Sequence, residues 1–410
     1  MSAAAPIPSS PNRIAALDFV RGVAVLGILA INITGFWGPS LASFSPALPH
    51  ADPGGVGWFA LSFVVFEGKM RALFTLLFGA SMMLFVEATE RRGFNPDAMQ
   101  ARRLLWLAVF GYAHYLLLWW GDILFPYALC GLAALALRRL DPAALVVIGL
   151  TLFTVSHGMD SLGDLAGIAA EQRVLSGHGT PAEVAEQAGM MARIAASIAD
   201  DTRILDAGFI EAIRLRLSIA PFLPFSTTLS TLTETLPLML IGMALHRSGF
   251  FAGAWSERAL RRVAACGIGT GGAITLALLA WLWMHGFPPR AMFAAMGDLS
   301  ALPHLLMALG YAALLMLLWP KLAQLGAGRR LAAAGRCAFT NYLGTTVLMA
   351  GFFSGWGLGL GPDLPRAWLP AFVLLGWAAM LAWPEWWLAR FAQGPLEAAW
   401  RRLTWLGAAR

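Results

Sequence analysis

The chain has 410 residues, of which 58% are hydrophobic and only 13% charged, against roughly 25% charged in soluble domains. With 17 Trp and 25 Phe spread along its whole length, it cannot be a soluble globular domain and reads instead as an all-α polytopic bundle in a bilayer. The net charge of +6 follows from membrane topology and anionic headgroups, so no nucleic-acid partner is expected.

Apolar runs of about 20 residues, the length that crosses the hydrocarbon core, fall at 17–36, 68–88, 104–120, 123–138, 143–158, 226–245, 263–284, 301–319, 337–356 and 367–388. These predict about ten transmembrane helices. The run 56–67 is too short to cross and is expected either as a half-helix entering the outer leaflet or as a segment packed against the second span. Residues 1–13 are small, polar and Pro-rich, which predicts an uncleaved first helix with no signal peptide. Most basic residues fall on one side of this arrangement, from Arg13 and Arg21 at the start to Arg401, Arg402 and Arg410 at the end. The positive-inside rule therefore places both termini in the cytoplasm. Three regions follow: 1–158 with five spans, 159–225 as a long extracytoplasmic loop, and 226–410 with five more spans and a basic amphipathic tail. In the loop, helical spacing of Met190, Met191, Ile194 and Ile198 after Pro181 predicts a helix over 182–199, either a lid at the outer surface or a solvated connector.

Ionisable groups inside such spans cost about 2.5–3.5 kcal/mol each on insertion scales, and so point to partners or function. In chain order, Asp18 and Arg21 lie three apart on one helix face and should pair. Asn32 sits near the outer end of the same helix. Glu67, Lys69 and Arg71 place three charges at the outer mouth of the second span. His114 lies about 9 Å inside the outer boundary at 1.5 Å per residue, with no other histidine as deep, and a neutral imidazole there can act as a general base. Asp122 reads as the N-cap of the fourth span. In the sixth span the hydroxyl-rich half from Ser226 to Thr235, with Glu234 and a break at Pro237, reads as a cavity wall. Arg336, Asn341 and Tyr342 open the ninth span. Cys130, Cys266 and Cys337 have no disulfide or metal spacing. No phosphate loop, nucleophile elbow or His-Glu-x-x-His is present, and the Gly355-x-Gly357-x-Gly359-x-Gly361 run follows a membrane helix rather than a strand.

Five blocks resemble the YeiB-like family of bacterial inner-membrane proteins, also called domain of unknown function 418. They are Arg13-Ile-x-x-Leu-Asp18-x-x-Arg21-Gly22 with Asn32-Ile33; Lys69 through Leu76-Leu77-Phe78-Gly79; Gly111-x-x-His114 with Gly121-Asp122-Ile123-Leu124 and Tyr127; Gly335-Arg336 with Thr340-Asn341-Tyr342; and Gly394-Pro395-Leu396-Glu397 with Arg401. That family is similar to a wider group of transmembrane acyltransferases, among them the lysosomal enzyme that acetylates heparan glucosamine. The resemblance implies transfer of an acyl group, acetyl above all, from acyl-CoA to an acceptor hydroxyl or amine of a sugar, lipid or small molecule, without a metal. Asn32 stands where the sugar-modifying branch has a catalytic histidine, which leaves His114, oriented by Asp122 or Glu234, to take that role. Asp18, Arg21, Arg336, Asn341, Tyr342 and Arg401 would then serve the coenzyme, and Glu67, Lys69, Arg71 and Asn32 the acceptor. A transporter using the same polar residues is the competing expectation, and a homodimer is compatible with either.

Overall fold

A computed structural model describes residues 11–407, and the side chains from Ala15 onward, so the expectations for Arg13 and Arg410 lie outside the described residues. Among the described residues every regular element is helical. The chain runs through α1 (Pro11–Trp37), α2 (Pro53–Val65), α3 (Lys69–Glu90), α4 (Pro96–Leu117), α5 (Leu124–Leu137), α6 (Pro142–Leu175), α7 (Pro181–Asp206), α8 (Phe209–Ile219) and α9 (Leu223–Arg247). It continues through α10 (Glu257–Met284), α11 (Pro289–Met296), α12 (Ala301–Leu322), α13 (Gly326–Arg336), α14 (Ala338–Phe353), α15 (Leu369–Ala382), α16 (Pro384–Leu388) and α17 (Pro395–Trp405).

Among the described residues, seven segments are long and apolar enough to cross a membrane, the α2–α3 pair counting as one. Of the other three expected spans, α5 and α14 have 14 and 16 residues, about 21 and 24 Å at 1.5 Å per residue. The third, α4, opens on a charged turn with Asp97, Arg102 and Arg103. The expected half-helix is α2. The segment expected as a loop is helical almost throughout: α6 runs on to Leu175, and α7 starts at Pro181 behind a Thr180–Glu183 capping box. Pro237 does not break α9, which is continuous from Leu223 to Arg247.

Lipid tails are as apolar as leucine, so helices in a bilayer associate through close packing of small residues rather than by escaping water. The centre of this bundle is built that way. A Cβ on Gly22 would overlap the Leu331 carbonyl, and one on Gly335 would overlap the Asp18 carbonyl, so α1 and α13 meet backbone to backbone. In the same manner Gly79 of α3 meets the Met239 carbonyl, and Gly242 of α9 meets the Leu76 carbonyl. α1 is the central element: Val20, Ala24, Ala30 and Ile33 are fully buried, and α3, α12, α13, α14 and α15 all pack on it.

Candidate functional site

His114 stands near the end of α4, and Gly111 one turn earlier lets the α5 N-terminus close against that helix: a Cβ there would overlap the Phe125 backbone nitrogen. Asp122 in the connecting turn then does two things at once. Its Oδ2 accepts from the Phe125 amide at 2.8 Å, capping α5, and its Oδ1 lies 2.8 Å from His114 Nδ1. With Nδ1–H donating to the carboxylate, Nε2 keeps its lone pair, and it faces Thr346 Oγ1 of α14 at 3.1 Å. The imidazole and carboxylate side chains are 0% and 2% exposed. The rings of Tyr342 and Trp119 stand 5.1 and 6.5 Å from it.

On the other side of Tyr342 is a cavity of about 160 Å³, roughly ten times the volume one water needs. Its floor is apolar, with Phe74, Phe78, Leu107 and Phe339, and its polar wall carries Arg21, Arg103, Arg336 and Glu397. Arg21 donates to Asp18 Oδ1 at 2.7 Å and to Ser81 Oγ at 2.8 Å, which fixes its guanidinium at the cavity edge. Arg103 lies between the rings of Trp400 and Phe85, 4.3 and 4.8 Å from their centroids. Arg336 donates to the Ala392 carbonyl at 3.0 Å. Glu397 accepts from the Phe339 and Thr340 amides at 2.8 and 3.0 Å and from Thr340 Oγ1 at 2.6 Å. It thereby caps α14 from α17. Burial pushes its carboxyl above the ordinary carboxylate range, opposed by those hydrogen bonds.

The structure thus brings Arg21, Arg336 and Tyr342 to one cavity, with Asp18 bonded to Arg21 and with His114, held by Asp122, packed against the Tyr342 ring. His114 itself is not among the residues lining the cavity. Tyr342 is held there by its hydroxyl, which donates to the Gly121 carbonyl at 3.2 Å and accepts from the Ile123 amide at 3.4 Å. Asn341 points elsewhere, its amide donating to the Ala334 and Met380 carbonyls and its oxygen accepting from Trp383. Arg401 lines a separate groove. Asn32 is half-buried on α1, away from the cavity lining.

Of the three charges expected at an outer mouth, Arg71 is part-exposed and two are buried. Lys69 is fully buried and Glu67 nearly so, because α2 and α3 are two halves of one broken helix joined at Gly68. There φ is +68°, a conformation open to glycine, and a Cβ would collide with the His304 ring. The Lys69 ammonium donates to the Phe63 carbonyl at 2.6 Å, capping the end of α2. Glu234 orients no histidine; it pairs with Arg71 at 3.0 Å. Four of the hydroxyls expected to line a cavity turn back on α9 itself: Ser226, Ser230, Thr228 to the Pro224 carbonyl at 2.7 Å and Thr231 to the Thr227 carbonyl at 2.8 Å.

Several residues escape sequence reasoning. His304 is 2% exposed, as deep as His114, and its Nε2 has no partner among the described residues. His157 pairs with Asp298 at 2.6 Å. Thr346 and Arg103 carry no local signal. For Arg103, a basic residue just ahead of an apolar run reads as a topology marker until α17 is folded over it.

Fold and site together define a polytopic helical membrane protein with a guanidinium-walled, aromatic-floored cavity. Across 396 residues the chain is 33% identical to the uncharacterised protein YeiB of Escherichia coli (strain K12), covering 96% of each chain. It belongs to the YeiB family. The family model described as a protein of unknown function, DUF418, matches residues 245–407. The uncharacterised protein YxaH of Bacillus subtilis (strain 168) is 26% identical over 416 residues, 96% of this chain and 95% of that one. No solved structure matches.

Proposed function

We propose that the protein is a transmembrane acyltransferase that moves an acyl group, acetyl foremost, from acyl-CoA to an acceptor hydroxyl or amine in or across the bacterial inner membrane. In this reading ten helices span the bilayer with both termini in the cytoplasm, and the donor enters from the cytoplasmic, arginine-rich end. The observation that carries it is the juxtaposition of an anion-and-chain cavity with a carboxylate-oriented imidazole one aromatic ring behind it. Arg21 and Arg336 take the coenzyme phosphates, joined by Arg103, and the thioester arm lies along Phe74, Phe339 and Tyr342. Rotation of Tyr342 off Gly121 and Ile123 admits the thioester to His114 Nε2. The imidazole takes the acceptor's proton as the acceptor attacks the carbonyl; the C–S bond breaks and the thiolate leaves with that proton. Asp122 holds the tautomer that leaves Nε2 basic.

The test is release of free thiol from acetyl-CoA by the purified protein, with His114→Ala alongside. Release by the parent chain and its loss in a variant that melts at the same temperature supports the assignment; release unchanged in the variant removes His114 from catalysis. A small-molecule transporter is the second reading, favoured by the helix break at Gly68 with its buried Lys69, since broken membrane helices often form transport sites. Substrate-driven flux through liposomes without thiol release would establish it instead.

A further inference from the structure

Beyond the donor cavity, at the same end of the bundle, a second basic site is built on the outer face of α17. A groove of about 390 Å³ is lined by Arg92 from the α3–α4 turn, Gln393, and Ala398, Arg401, Arg402 and Trp405 of α17. The inner face of the helix is spent on the bundle: Trp400 Nε1 donates to the Arg103 carbonyl at 2.8 Å, Thr404 is buried, and Glu397 caps α14. Arg401 and Arg402 are turned away from it and exposed, as is Arg92. None of these three guanidiniums lies within ion-pair distance of a carboxylate among the described residues, and they converge on one groove. The floor is aromatic. The Arg92 guanidinium sits 5.5 Å from the Trp405 ring, which packs against Phe94 and Phe85 at 5.0 and 6.3 Å.

Three cations with no carboxylate partner among the described residues, set beside the Trp405 ring, call for a ligand with a phosphate head and an apolar body. The level of the groove fits that demand: it lies where α3 ends and α4 begins, the same end at which Trp383, Trp386 and Trp387 gather, as tryptophans do at a membrane interface. We infer that this groove is a specific binding site for the headgroup of an anionic phospholipid, the phosphate held by Arg92, Arg401 and Arg402 and the glycerol and upper chains resting on Trp405. It is independent of the acyl-transfer reading, because no residue lining it lines the donor cavity.

The experiment uses the full chain purified in a maltoside detergent and titrated with phosphatidylglycerol, phosphatidylcholine or inorganic phosphate, with bound lipid counted by native mass spectrometry and the melting temperature followed in parallel. Phosphatidylglycerol should be retained and raise the melting temperature, with little effect from phosphatidylcholine or phosphate. Arg401→Gln with Arg402→Gln should weaken phosphatidylglycerol binding about tenfold or more, from about 1 kcal/mol per basic residue near a charged surface, without altering the lipid-free melt. If that pair fails to fold, Arg92→Gln, which leaves α17 untouched, gives the same reading. Equal retention of phosphatidylcholine, an equal shift with phosphate alone, or undiminished binding in the variants overturns the proposal.

Discussion

Two regions of this bundle gather charge, and they treat it in opposite ways. At the α2–α3 break, Lys69 and His304 are sealed in by protein, and Lys69 is satisfied by a single backbone carbonyl. At the other, Arg21, Arg103 and Arg336 keep their guanidiniums on the wall of a cavity, steadied by Asp18, two aromatic rings and a carbonyl. Burying a charge costs several kcal/mol unless it is paired, so the first region spends charge on shaping the fold while the second leaves charge available to a ligand. The difference teaches that depth in the membrane alone does not mark a ligand site; the decisive feature is whether the charge faces a hollow.

The comparison is broken most violently at the hinge. Gly68→Ala forces a strained φ and a collision with His304, and should cost about 3 kcal/mol or more, seen as loss of folded protein in detergent or a steep fall in melting temperature. Arg21→Ala in the open region should cost less, about 1–3 kcal/mol, because it strands Asp18, yet it should abolish coenzyme binding by calorimetry. Equal loss of stability in the two variants would erase the distinction.

Smaller effects sharpen it. Tyr342→Phe removes the two hydrogen bonds that hold the ring over His114 and should cost about 1 kcal/mol of stability while speeding thiol release. Glu397 supplies a pH signature. Its folded-state proton affinity is raised, chiefly by burial, so its contribution to stability is greatest at acidic pH and declines as pH rises from the ordinary carboxylate range through the raised value. Glu397→Gln should flatten that slope in a melting series. At the low end, Asp97→Asn should change the melt little, since this half-exposed surface carboxylate pairs with Arg138 and Arg139 and such pairs contribute about 0–1 kcal/mol.

Much of the architecture is legible in composition and run length, because the bilayer demands helices of a set length and glycine where they cross closely. Asp18–Arg21 is legible from a spacing of three, and Asp122 as a cap from its turn. What the sequence hides is set by tertiary packing. Nothing local shows that Lys69 lies inside a broken helix, since Glu67-Gly-Lys69-x-Arg71 reads equally well as a charged rim. Ser226, Thr228, Ser230 and Thr231 of α9 bond back to carbonyls of their own helix, a choice that composition does not reveal. Thr346 and Tyr342 meet His114 only because α14 packs beside α4 and α5, more than 200 positions along the chain.

The account rests on the cavity wall accepting an acyl donor in front of His114. Its most direct test is a density map of the protein bound to a thioether analogue of acetyl-CoA. The account expects the analogue's phosphates at Arg21 and Arg336 and its sulfur end between Phe339 and a displaced Tyr342. A map with Tyr342 still closed and the analogue bound outside that cavity would contradict it.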